Sequence, residues 1–129
     1  MNGPESGRMT TIPTSTFNVA ALRNAFRDRD AAALLALYAD DATIELVDTL
    51  NTPSHPRRLS GREEIRAHVE DVFARDMTHA VDIVAAGPDT LGYSLRCTYA
   101  DGMKVVCAAS AELRDGRIVR EVGVQAWDA

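Results

Sequence analysis

LYADDATIELVD, at residues 37–48, and the two Asp-Gly turns of YADGMK (99–104) and LRDGRI (113–118) decide how this chain folds. Asp-Gly between apolar runs marks a hairpin, because both residues tolerate the positive φ that tight strand reversals require. Strands are therefore predicted over 79–86, 90–99, 103–113 and 117–127, separated by Gly-Pro-Asp, Ala-Asp-Gly and Arg-Asp-Gly, and such short links make them antiparallel neighbours. In the first segment Asp40-Asp41 ends a helix, and Ile44, Leu46 and Asp48 then alternate with Thr43, Glu45 and Val47, the period of a strand.

Upstream, Val19, Leu22 and Phe26 recur at helical spacing behind a Ser15/Thr16 cap, and Asp30 caps a second short helix carrying Leu34, Leu37 and Tyr38. TLNTPSHPRR (49–58) holds two prolines and no period, so it is a loop. Ser60-Gly-Arg-Glu63 has the pattern of a capping box, and Ile65, Val69, Val72 and Phe73 follow on one helical face. Residues 1–16, rich in Pro, Gly, Ser and Thr, are expected to be disordered, leaving 17–129 as one domain. The expected fold class is α+β: three helices of the N-terminal half packed on a strongly curved, cone-shaped antiparallel sheet, enclosing an apolar pocket.

The 129 residues are 46% hydrophobic and carry a net charge of −5, without the Lys/Arg clustering that nucleic acid or an anionic membrane rewards. Cys97 and Cys107 fall within apolar strands and behave as small hydrophobes, and no signal-peptide core opens the chain, so a reduced, cytoplasmic protein is expected. His55, His68 and His79 lack the spacing that puts two ligands on one metal, and His79, at a strand start, is read as structural, with a role as acid or base at the cavity mouth as the alternative. No G-x-S-x-G elbow, Gly-rich phosphate loop or C-x-x-C pair is present, and neither metal nor cofactor is expected.

Which side chains enter the pocket depends on turn length. A three-residue loop at 100–102 places Tyr93, Leu95, Cys97, Val105, Cys107, Ala109 and Ala111 on one inward face. The same loop at 114–116 turns Val119, Glu121, Gly123, Gln125 and Trp127 inward, whereas a two-residue Asp-Gly turn sends Ile118, Arg120, Val122 and Val124 there instead. In the first case Glu121 is a candidate general base, its pKa raised by burial, with Gln125 about 7 Å away on the same strand face as a hydrogen-bonding partner for one polar group of a ligand; pairing with an arginine at the rim is the alternative role of Glu121. Asp48 is a second candidate carboxylate near the mouth, with turn capping as the alternative role. Tyr93 and Tyr38 offer phenolic donors, and Trp127 forms either a pocket wall or a subunit contact.

From about residue 17 onward the chain resembles the nuclear-transport-factor-2-like superfamily, and within it the SnoaL-like group, through ALLALYADDATIEL, PRRLSGREEIRAHV and ELRDGRIVREVGVQAWD. The resemblance implies a helix-capped sheet with a pocket, and a homodimer through the convex sheet face, where Val106, Ala108, Val122 and Val124 would lie. Within that superfamily the ketosteroid isomerases use an Asp base with a Tyr and a protonated Asp as oxyanion donors. Matching positions here are Leu22 for the tyrosine, Leu46 for the base and Ala111 for the second acid, so these three become apolar pocket lining and isomerase chemistry of that kind is excluded. The SnoaL-type cyclase base on the last strand coincides with Gly123. Two expectations follow: a cofactor-independent cyclase, isomerase, dehydratase or hydrolase acting on a small apolar molecule through Glu121 and Asp48, or a non-catalytic ligand-binding or assembly module of the same fold.

Overall fold

The computed structural model describes residues 16–129, so the expectation for 1–15 lies outside the described residues. Helix α1 (Val19–Asp28) starts at Asn18, whose side chain accepts from the Ala21 N–H, and not at Ser15/Thr16. It stops at Arg29, whose left-handed φ of 52° lets its N–H return to the carbonyls of Ala25 and Phe26. Asp30 caps α2 (Ala31–Leu35) through the Ala33 N–H, as read from the sequence. That helix ends early because Tyr38 and Asp40-Asp41 already belong to a ten-residue strand, β1 (Tyr38–Val47).

Overlapping the end of the loop expected over 49–58, and just past its two prolines, a short strand β2 (Arg57–Ser60) pairs antiparallel with β1 from Thr43↔Ser60 to Leu46↔Arg57, reinforced by Arg58–Glu45 at 2.9 Å. Helix α3 (Arg62–Phe73) begins at Gly61, without a side-chain cap. Half of the expected capping box survives one residue later: the Glu64 carboxylate accepts from the Ser60 N–H at 2.8 Å.

Strands β3 (Met77–Ala86), β4 (Thr90–Tyr99), β5 (Lys104–Arg114) and β6 (Arg117–Trp127) form the expected antiparallel meander. Gly102 takes φ 93° in the three-residue loop, and Tyr99 N–H donates to Met103 O at 2.9 Å, so the inward face of β4 and β5 is the one read from the sequence.

The expected cone is not what forms. The sheet is open and mixed, in the order β2-β1-β6-β5-β4-β3, with β2 and β3 as its two free edges. β1 and β6 run parallel, from Tyr38↔Ile118 to Val47↔Val124. Hairpin logic constrains only strands joined by short turns, and these two are separated by most of the domain, so nothing local forces them antiparallel. The architecture is α+β, a six-stranded mixed sheet with three helices. Arg23 on α1 donates to the carbonyls of Val81 and Asp82, and Arg62 on α3 to that of Leu35, tying the helices down. Leu22, Ile65 and Ile118 are the most completely buried large side chains of the core.

Candidate functional site

The last hairpin combines features of both readings. Asp115 and Gly116, with φ of 53° and 75°, form a two-residue turn that pairs Arg114 with Arg117 and Leu113 with Ile118. That alone would face Ile118 inward and Glu121 outward. Between Leu113↔Ile118 and Glu112↔Arg120 the register shifts by one, leaving Val119 as an extra residue on β6. This β-bulge reverses the facing of everything beyond it. Ile118 is therefore buried, Arg120 exposed, and Glu121 buried again at 7% exposure.

Glu121 lies beside Ile44 of the parallel strand β1. The Tyr38 hydroxyl donates to its Oε1 at 2.7 Å, and the Tyr93 hydroxyl reaches the same oxygen at 3.4 Å. No described residue donates to Oε2, which stays open to the cavity. Burial raises the Glu121 pKa to about 6, against the smaller downward pull of the two phenols. Burial and then the Glu121 charge push both phenols well above the usual tyrosine range, so they remain donors.

The cavity above this group has a volume of about 110 Å³ and opens between the sheet and the helices. It is comparable to the ~150 Å³ space that admits a benzene ring. Phe26, Leu34, Ile44, Leu46, Val69 and Phe73 make its walls mainly apolar. Half-buried His68, Val72, Arg75, Tyr99, Gln125 and Trp127 also contribute to the lining, with Arg75 bonded to Asp71 and to the Tyr99 hydroxyl. Gly123 keeps the wall next to Glu121 thin: a Cβ there would stand 3.3 Å from Leu46.

Of the residues singled out in the sequence, the structure brings Glu121, Tyr38, Tyr93, Leu46, Gln125 and Trp127 to this cavity. Leu22 and Ala111 are buried in the core away from it. Asp48 is absent from the lining: its Oδ1 accepts from the N–H groups of Leu50 and Asn51 and from the Asn51 side chain, a turn cap that also lowers its pKa. Gln125 does not share one ligand atom with Glu121. They stand four positions apart on the strand, about 13 Å and not the expected 7 Å. Gln125 Oε1 accepts from Trp127 Nε1–H at 3.1 Å, which fixes the amide orientation and leaves its NH₂ for a partner. Trp127 packs on Tyr99, ring centroids 5.9 Å apart.

Cys97 and Cys107 are free, and burial pushes their thiols to about 11 and about 12, as inert as the sequence suggests. Among the described residues no group of three or more His, Cys, Asp or Glu is placed to hold a metal, and no helix is long and apolar enough to cross a membrane. His79, for which a structural role and a place at the cavity mouth were both open, is a buried member of the cavity lining.

The open mixed sheet carrying three helices over an apolar pocket has the nuclear-transport-factor-2-like fold. The chain belongs to the SnoaL-like domain family, whose model matches residues 19–121. Among solved structures it is similar to an NTF2-like protein of unknown function from Mesorhizobium loti (24% identity over 83% of this chain and 86% of that one, TM-score 0.71). It is also similar to a candidate ketosteroid isomerase from Kribbella flavida (21%, 85% and 74%, TM-score 0.68). Wild-type IdmH, a candidate polyketide cyclase from Streptomyces antibioticus, is 25% identical over 83% of this chain and 88% of its own, with a TM-score of 0.61. No curated protein matches the chain.

Proposed function

We propose that the protein is a cofactor-independent acid/base catalyst acting on a small apolar carbonyl compound, with Glu121 as the proton-transferring group. A single observation carries this reading: a carboxylate buried in an apolar cavity, held by two phenols on one oxygen and open on the other. With a pKa of about 6 the group is mostly ionised near neutrality yet basic enough to take a proton from carbon next to a carbonyl and return it to another position. Such a transfer underlies isomerisations and intramolecular cyclisations alike. The likeness to IdmH supports the cyclase form, and the cavity size supports a ligand of about one ring with the remainder leaving through the mouth. Tyr38 and Tyr93 orient the carboxylate, and Leu46, Gln125 and Trp127 shape the path to it.

The test is hydrogen exchange into cyclohexanone in heavy water, followed by NMR at the carbons flanking the carbonyl. The protein is expected to accelerate exchange, with a rate rising through pH 6 as Glu121 ionises. Binding of cyclohexanone without accelerated exchange would instead favour a non-catalytic ligand-binding module.

A homodimer is the second part of this proposal. On the sheet face opposite the pocket, Val106 pairs with Ala126 and Ala108 with Val124, and Val106 and Val124 are 41% and 49% exposed. Val124→Glu would place a carboxylate in the middle of that patch and is expected to convert a sedimenting dimer to monomer. Wild-type protein that sediments as a monomer at high concentration would refute the association.

A further inference from the structure

The mouth of the cavity is ringed by half-buried polar side chains that proton transfer at Glu121 does not use. Gln125 shares its strand face with Glu121 and Gly123, and Tyr99 shares its own with Leu95 and Cys97, all of which line the cavity. His68 lies on the face of α3 that brings Val69, Val72 and Phe73 to the same space. Trp127 joins Gln125 to Tyr99, bonding the first and packing on the second. Arg57 reaches the ring from β2: it pairs with Leu46, on the pocket side of the sheet, and its Nη1 stands 3.5 Å from His68 Nδ1.

Each of these groups is held in a donor state. Trp127 Nε1–H can only donate, so Gln125 Oε1 accepts and the amide NH₂ is left over. A guanidinium likewise only donates. Arg57 therefore excludes a proton from the facing His68 Nδ1 and leaves it on Nε2, while Arg75, at 3.1 Å, makes the Tyr99 oxygen an acceptor and frees its O–H. Burial, then the charges of Arg57 and Arg75, hold the His68 pKa down to about 4 against an upward pull from Asp71, so the ring is neutral near neutral pH. Gln125 Nε2 and His68 Nε2 have no polar partner among the described residues, yet neither is sealed inside the protein, so a ligand at the mouth can reach both.

We propose that this rim is a carboxylate-binding subsite, in which Gln125 NH₂, His68 Nε2–H and Tyr99 O–H donate to an anionic group on the outer end of the ligand, with the guanidinium groups of Arg57 and Arg75 behind them. The nearby acceptors are already taken, Asp71 by Arg75 at 2.7 Å and Asp48 by its own turn, and neither lines the cavity. Arg57 forms no ion pair with a described carboxylate. A rim that offers hydrogens and no lone pairs suits a carboxylate better than an ammonium. Gln125 stands about 13 Å along the strand from Glu121, and Gly123, midway, puts no side chain across the path. The ligand is then an apolar ketone whose chain ends in a carboxylate. Its ketone end rests on the reading under Proposed function; its carboxylate end does not.

The probe is cyclohexanone carrying a butanoate chain on the ring carbon opposite the carbonyl, titrated into the full chain beside the analogue whose chain is plain butyl. Wild type is expected to bind the butanoate about tenfold more tightly than the butyl compound. That ratio falls in Gln125→Leu and in His68→Phe and reaches about one in the double variant, which still binds the butyl compound. Equal binding of the two compounds by wild type, a ratio that survives in the double variant, or loss of both compounds together would each overturn the assignment. Heteronuclear NMR of the His68 ring nitrogens is expected to show an Nε2–H tautomer whose signal moves when the butanoate is added. An Nδ1–H tautomer, an imidazolium or an unmoved signal would overturn it as well. A wild type that shows the butanoate preference but does not accelerate exchange beside the ketone supports the rim and refutes the Glu121 reading alone.

Discussion

Deletion of Val119 is expected to leave Glu121 facing the cavity, because it removes the one residue that stands outside the ladder. Ile118 stays opposite Leu113, Arg120 opposite Glu112 and Glu121 opposite Ala111, so alternation continues from the buried Ile118 through the exposed Arg120 to Glu121. The half-buried valine side chain and the extra local twist of the bulge are lost, a cost of about 1–3 kcal/mol. Val119→Ala keeps the bulge and costs only about 1 kcal/mol. Thermal unfolding followed by circular dichroism measures both costs, and the Tyr38 and Glu121 environment of the deletion variant reports the facing: a Glu121 that titrates as a solvent-exposed carboxylate after the deletion would show that the ladder does not close in this way.

Glu121→Gln is expected to reduce exchange into cyclohexanone by about 10²–10⁴-fold, the usual contribution of a positioned general base. The substitution keeps an oxygen for the Tyr38 hydroxyl and changes little in volume, so loss of folding does not account for loss of rate. It also has a thermodynamic signature. The folded-state pKa of about 6 lies above the ordinary value of 4.5, so the folded protein binds more protons than the unfolded chain between those values. The stability contributed by protonated Glu121 is fully present below pH 4.5 and is lost as pH rises through about 6, a decline of about 2 kcal/mol. Urea unfolding of wild type across this range, compared with Glu121→Gln, isolates the contribution of the group. The variant should lack that decline; identical pH profiles would mean that the carboxylate is solvated and unsuited to the chemistry.

What could be read from the residues was local. Asp-Gly turns and alternating apolar residues place β4 and β6 at their observed bounds, and the spacing of Ile65, Val69 and Phe73 places α3. Long-range pairing was not legible: nothing in YADDATIELV announces that it will lie parallel to IVREVGVQ, and the same blindness turned an open mixed sheet into an expected cone. Strand β2 was hidden because two prolines precede it and its pairing with β1 comes from a distant part of the sequence. Tyr38 was assigned to a helix by its Leu-rich neighbours, but its phenol is the closest partner of Glu121.

The site was half legible for a related reason. Glu121 emerged as a candidate under one of two turn geometries, and the structure uses the other turn while restoring the same facing through Val119. A bulge leaves no compositional mark when the extra residue is an ordinary valine. The buried Nε2 of His79, which meets no polar partner among the described residues, was likewise invisible, because its isolation is a property of three packed elements and not of any spacing.

The facing of the carboxylate is handed on from the Leu113–Ile118 pair through the bulge, so the hairpin tip at 114–117 lies outside the stretch that aims it. Length changes or grafted peptides at Asp115-Gly116 can be absorbed without re-aiming the cavity, provided Ile118 keeps its seat. The tip is thereby a natural port for affinity handles or fluorescent reporters, set apart from the pocket by the pair that anchors Ile118.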